Sequence, residues 1–192
     1  MVANDWRSFL MQAELVRNYQ GVARAVSTSG LTAPNPLLES LLPSLLYIRL
    51  GAVIDDALDE HITVQGWTVT KPLREDFNGR ICFLAAKGLL VRPDDLHNLR
   101  LKRNTLAHQP ATKCSWGDLE RAIQIGQEEL ENARLVGPRP KFEFFSTRLP
   151  GELNQGEVMG MDYEYGLKEG ADIALRMQWG VSIGTTGEKP SD

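Results

Sequence analysis

The spacing of apolar side chains changes once along this chain, and that change limits the folds open to it. Up to about residue 136, apolar positions recur at steps of three and four, the period of helices with one buried side. Beyond Gly137-Pro138-Arg139-Pro140 they recur at every second position, the period of strands with one buried face. The expected class is α+β, mainly α: a bundle of four to five helices over residues 1–136, then a small C-terminal antiparallel β-hairpin or sheet over 137–192.

The helical part divides at its breakers. Trp6, Phe9, Leu10, Ala13, Val16, Tyr19, Ala23 and Val26 predict an amphipathic helix over 5–27. Ser27-Thr28-Ser29-Gly30 with Pro34 and Pro36 ends it, and a second helix is expected over 37–60. Ile62-Thr63-Val64 and Trp67-Thr68-Val69 are strand-like but too short to decide. A third helix is expected over 73–90, ending at Gly88, with Phe77, Ile81, Phe83 and Leu84 buried. Pro93-Asp94-Asp95 opens a fourth, since proline suits a first turn and aspartates there favour the helix dipole. Ser115 caps a fifth, with Leu119, Ala122, Ile123, Gly126, Leu130 and Ala133 as its stripe.

In the second part, Met159, Met161, Tyr163, Tyr165 and Leu167 alternate with polar or small residues. Ile173 to Ile183 does the same, and Lys168-Glu169-Gly170 joins the two runs as a hairpin turn. Lys141 to Arg148 can add a third strand, and the polar tail from Gly184 is expected to be mobile. The hairpin's apolar face packs on the bundle by default, or else serves as a dimer or partner surface. Its cations, Lys168 and Arg176, are outnumbered by Glu157, Asp162, Glu164, Glu169 and Asp172, which argues against RNA binding there.

Composition narrows the function classes. A net charge of −4 disfavours non-specific coating of nucleic acid or anionic membrane, although a local basic site remains open. Met1-Val2-Ala3-Asn4-Asp5-Trp6 lacks the basic and apolar regions of a signal peptide, and Leu41–Ile54, interrupted by Pro43 and Arg49, is too short to span a bilayer. Cys82 and Cys114 fall in no metal spacing. A cytoplasmic protein with no membrane partner is expected.

The densest chemistry lies in Arg103-Asn104-Thr105-Leu106-Ala107-His108, ahead of Pro110. On a helix, Asn104 and His108 share a face, as do Arg100 and Arg103, while Lys102 adds to the local positive field. Imidazole titrates near neutrality and guanidinium grips phosphate oxygens in pairs. Together they suit RNA cleavage by attack of the ribose 2′-hydroxyl on its own phosphate, which calls for no metal or cofactor. The plain alternative is that His108 caps the last carbonyls of the helix and favours its dipole.

The stretch Asp95-Leu96-His97-Asn98-Leu99-Arg100-Leu101-Lys102-Arg103-Asn104-Thr105-Leu106-Ala107-His108 resembles the signature helix of the HEPN superfamily. That family's mark is an arginine, often followed by a polar residue, then a histidine after four to six positions. Arg103, Asn104 and His108 match, with four residues between arginine and histidine. Ser115-Trp116-Gly117-Asp118-Leu119, and Phe77-Asn78-Gly79-Arg80-Ile81 through Gly88-Leu89-Leu90, are also similar to the family. The resemblance covers about residues 1–136 and implies a helical bundle that dimerises, bringing two motifs into one cleft. Active members are metal-independent endoribonucleases of toxin–antitoxin, phage-defence and RNA-processing systems. It further implies His108 as general acid or base, Arg103 as phosphate clamp, and Asn104 as the group orienting phosphate or imidazole. Arg100 and Lys102, by their charge beside the motif, are the expected substrate-binding residues. Other relatives have lost catalysis and serve as RNA-binding or partner-docking modules, so a complex-forming or inhibitory protein partner is the alternative expectation.

Asp55, Asp56, Asp59 and Glu60, beside His61, form the remaining polar cluster. A metal site is imaginable there, a solvated helix end is the plainer expectation, and a carboxylate orienting Arg103 or His108 stands between them. His97 can line the same cleft as the motif, though an exposed histidine is the plainer expectation, and Cys114 reads as a small buried residue.

Overall fold

A computed structural model of the chain describes the backbone of residues 2–28, 41–109, 111–146, 157–167 and 173–183, with side chains at 2–18, 20, 41–109 and 111–141. Five α-helices dominate: α1 (Val2–Thr28), α2 (Leu42–Val64), α3 (Phe77–Ala86), α4 (Pro93–His108) and α5 (Trp116–Asn132). The described part is therefore mainly helical, as its apolar period requires. None of these helices is long and apolar enough to cross a membrane.

Local signals set most of the helix ends. Asp76 caps α3 by accepting the Gly79 N–H at 2.8 Å, so the helix starts later than residue 73. Gly88, at φ 71°, reverses the chain after α3: its N–H reaches the Ala85 carbonyl and that of Leu89 reaches Leu84. Gly66, at φ 66°, closes α2 in the same way, through Gly66 to Thr63 and Trp67 to Ile62. Ile62-Thr63-Val64 thus forms the last turn of α2, while Trp67-Thr68-Val69 belongs to no regular element. Ser115 caps α5 with a reciprocal capping box to Asp118.

The end of α5 follows the same pattern with a less suitable residue. Arg134 occupies the left-handed position at φ 58°, while its N–H bonds to the Glu131 carbonyl and that of Leu135 to Leu130. A side chain costs free energy in this conformation, and Arg134 is exposed. Arg134→Gly is expected to raise stability by a few tenths to about 1 kcal/mol, part of the gain being offset by glycine's freer unfolded chain. A lower urea midpoint in the variant would contradict this.

The chain divides into two compact units. In the first, α1 as far as Arg17 packs with α2 to α5 through Arg139. Its core joins Phe9 and Leu10 of α1, Leu50, Ile54 and Leu58 of α2, Ile81 and Leu84 of α3, Leu96 and Leu99 of α4, and Leu119 and Leu130 of α5. Where α1, α2 and α5 converge, Gly126 permits contact that a Cβ would obstruct, at 2.8 Å from Ile54 Cδ1 and 2.9 Å from Trp6 Cη2. The Trp6 indole N–H there donates to Gln127 Oε1 at 2.7 Å in a buried bond.

A buried acid anchors α4. Glu129 of α5 is wholly inaccessible, and its carboxylate accepts the Val91 N–H at 2.8 Å and the Arg92 N–H at 2.9 Å. Arg92 is the N-cap of α4 but supplies no side-chain cap, so Glu129 fills that role from another helix, where a negative charge also favours the dipole. Arg92 pairs in turn with Glu128.

The second unit contains the remainder of α1 and three strands: β1 (Phe142–Ser146), β2 (Glu157–Leu167) and β3 (Ile173–Ile183). Their order is β1-β3-β2, with β1 parallel and β2 antiparallel to β3. The register pairs Glu157 with Ile183 and Leu167 with Ile173. The expected turn Lys168-Glu169-Gly170, the tail from Gly184, the side chains of the apolar sheet face, and most of the break between the first two helices lie outside the described residues.

Candidate functional site

On α4, Asn104 and His108 lie away from the buried Leu96, Leu99 and Leu106. Arg103, four residues after Leu99 and three before Leu106, shares the inward side, and its aliphatic stem crosses Gly51 of α2. A Cβ at residue 51 would stand 2.8 Å from Arg103 Cγ and 3.3 Å from its Cβ, so glycine provides the room this arginine uses. At the far end, Arg103 Nη1 donates to Asn104 Oδ1 at 3.0 Å. Two motif residues are thus joined directly, and Asn104 fixes how the guanidinium is turned. Arg103 Nε and Arg100 Nε are both buried without a hydrogen-bond partner among the described residues.

His108 is the last residue of α4 and is exposed, one turn beyond Asn104 on the same side of the helix. No described residue hydrogen-bonds its imidazole, and no direct contact links it to Arg103. Pro110 is outside the described residues, and α4 ends at His108 with Gln109 extended.

Lys102 faces elsewhere. Its Nζ pairs with Asp118 Oδ2 at 3.0 Å and stands 5.7 Å from the Tyr47 ring centroid. It borders an open groove of about 290 Å³ that it shares with Tyr47, Asn98, Asp118 and Arg121. The Lys102 ammonium, with the Ser115 N–H, holds the Asp118 carboxyl below the usual carboxylate range. A carboxyl lowered on folding contributes stability that is present above its unfolded pKa and is lost as pH falls through its folded value. Asp118→Asn is therefore expected to flatten the loss of stability below about pH 4, read as thermal midpoints across an acid series. An unchanged acid limb would show that the pair contributes nothing.

Two carboxylates of the α2 cluster pair with a cation from α3, while Asp56 and Asp59 remain exposed at the helix surface. Arg80 reaches Asp55 at 2.7 Å and Asp59 at 2.8 Å. Burial raises the Asp55 carboxyl, while the Arg80 guanidinium and, more weakly, Arg103 draw it down. Asp55 therefore lies within the field of the motif arginine, with Arg80 as its nearer partner. His61 joins none of these pairs. It lies edge-on to Trp67, with centroids 5.6 Å apart, and burial lowers its pKa. Among the described residues no three acidic, histidine or cysteine side chains gather as metal ligands do.

No family model, curated protein or solved structure matches the chain. Its chemistry is therefore read from its own residues. The arrangement offers an oriented guanidinium joined to an amide, a second arginine one turn earlier, and an exposed imidazole one turn later. Taken singly, the guanidinium can bind phosphate oxygens and the imidazole can exchange a proton, the two lying five residues apart on α4.

Three partners of these elements carry no signal in the sequence: Gly51 beneath Arg103, Arg80 between Asp55 and Asp59, and Glu129 at the start of α4. A fourth is the approach of Cys82 to His97, whose Sγ and Nε2 are 3.7 Å apart. Each pairs residues from different helices, so no spacing along one element announces it. His97 is half-buried against α3 rather than exposed. Cys114 is buried, in keeping with its reading as a small core residue.

Proposed function

We propose that the chain is a metal-independent endoribonuclease of HEPN type, built as a helical bundle with a small C-terminal sheet and acting as a homodimer. The observation that carries this reading is the Arg103–Asn104 hydrogen bond on Gly51, with His108 exposed on the same side of α4 as Asn104. In the proposed reaction a His108 imidazole takes the proton from a ribose 2′-hydroxyl, and that oxygen attacks the adjacent phosphorus. The 5′-oxygen leaves and takes up a proton from an imidazolium, the partner copy supplying the second histidine. Arg103 binds the non-bridging oxygens, whose charge grows in the transition state, and Arg100 extends the cationic track.

Cleavage of end-labelled RNA in EDTA tests the reading. Fragments with 2′,3′-cyclic phosphate ends, lost in His108→Ala, are the expected result. A folded wild-type protein that leaves varied RNAs intact would reject it.

A second reading has an observation of its own. Arg103 is partly engaged, with its stem on Gly51, Nη1 on Asn104 and Asp55 nearby. An arginine held this way also suits a non-catalytic module that binds RNA or docks a protein partner in a larger complex. That module predicts RNA binding or complex formation that survives His108→Ala, with no cyclic-phosphate product from either protein.

A further inference from the structure

We propose that Cys82 is a base-assisted nucleophilic thiol that exchanges with small disulfides, with His97 as its proton acceptor. The two residues come from different helices: Cys82 from the middle of α3, His97 from the second turn of α4. Sγ and Nε2 stand 3.7 Å apart, within reach of a sulfur hydrogen bond, and both side chains are partly exposed. With the ring proton on Nδ1, Nε2 accepts from the thiol.

The surrounding helices hold the pair together. Asp76 caps the start of α3, and Arg80, two residues before Cys82, ties that helix to Asp55 and Asp59 of α2. Glu129 pins the start of α4 at Val91 and Arg92, ahead of the turn that carries His97.

The second cysteine provides the contrast. Cys114 is buried, its Sγ is directed at the Ser115 carbonyl at 3.4 Å, and burial pushes its thiol up to about 11. The thiolate is the reacting form of a cysteine, so a partly exposed thiol beside a base and a buried thiol without one differ in kind. Neither Cys82 nor His97 takes part in the RNA chemistry proposed above.

The exchange balances without a further reactant. The Cys82 proton passes to His97 Nε2, and Sγ attacks one sulfur of the incoming disulfide. A new Sγ–S bond forms, the original S–S bond breaks, and the departing thiolate takes the proton from the His97 imidazolium. The disulfide is the oxidant: one half leaves as a thiol and the other remains on Cys82.

The test uses the intact chain with oxidised glutathione at neutral pH, followed by peptide mass spectrometry. The expected product is a mixed disulfide at Cys82 with Cys114 unmodified. His97→Asn should slow the reaction about tenfold or more, since a positioned base typically contributes roughly 10²- to 10⁴-fold and a thiol is already partly reactive without one. A variant-free comparison guards against misfolding: Cys82 in the native protein should react faster than Cys82 in the urea-unfolded chain at the same pH. A native rate equal to or below the unfolded one would overturn the proposal, as would a folded His97→Asn protein that reacts like the wild type.

Discussion

Glu129→Ala is expected to lower the free energy of unfolding by about 3 kcal/mol, because two backbone N–H groups lose their acceptor at roughly 1–3 kcal/mol each. The Glu129 carboxylate is the acceptor that caps the start of α4, and it lies in a wholly inaccessible position. Alanine also leaves a cavity the size of the lost side chain, facing the freed amides of Val91 and Arg92 with nothing polar in place of the carboxylate. Glu129→Gln keeps the volume but turns an amide N–H toward one of the two donors, so it should lose about half as much. Urea unfolding reads both values as shifts in midpoint at constant slope. A loss below about 1 kcal/mol in Glu129→Ala would show that α4 starts equally well without this cap.

The second large effect concerns activity and rests on the proposed nuclease reading. His108→Ala is expected to reduce RNA cleavage by roughly 10²- to 10⁴-fold, the usual contribution of a positioned acid or base. Its unfolding midpoint should stay close to wild type, because His108 is exposed at the helix end and no described residue hydrogen-bonds it. Arg103→Lys adds a separate check. Lysine keeps the charge but lacks the planar fork, so it cannot donate to Asn104 and to a phosphate in the same geometry. Cleavage should fall in that variant as well, with RNA binding less affected than turnover. Wild-type turnover in both variants would reject the assignment of these residues.

How much of this was legible beforehand depended on the distance between partners along the chain. The first and fifth helices followed from apolar steps of three and four, since a helix's buried side is set by residues within the same element, and the fourth from Pro93-Asp94-Asp95 at its start. Ser115 announced the start of α5 because its partner, Asp118, is three residues away. Gly88 announced the end of α3 for the same reason, through a left-handed turn that glycine accepts without strain. Arg103, Asn104 and His108 were visible as a motif because they lie on one helix.

What surrounds those residues was not visible. Gly51 lies on a different helix from the Arg103 stem it accommodates, Arg80 reaches back to α2 from α3, and Glu129 caps α4 from 37 residues away. The helices, most of their caps and the motif are local properties, each depending on neighbours a few residues apart, and so they can be read from the chain alone. The seat of Arg103, the cap of α4 and the base beside Cys82 exist only after folding. Those pairings depend on how packed helices cross, which no local spacing encodes.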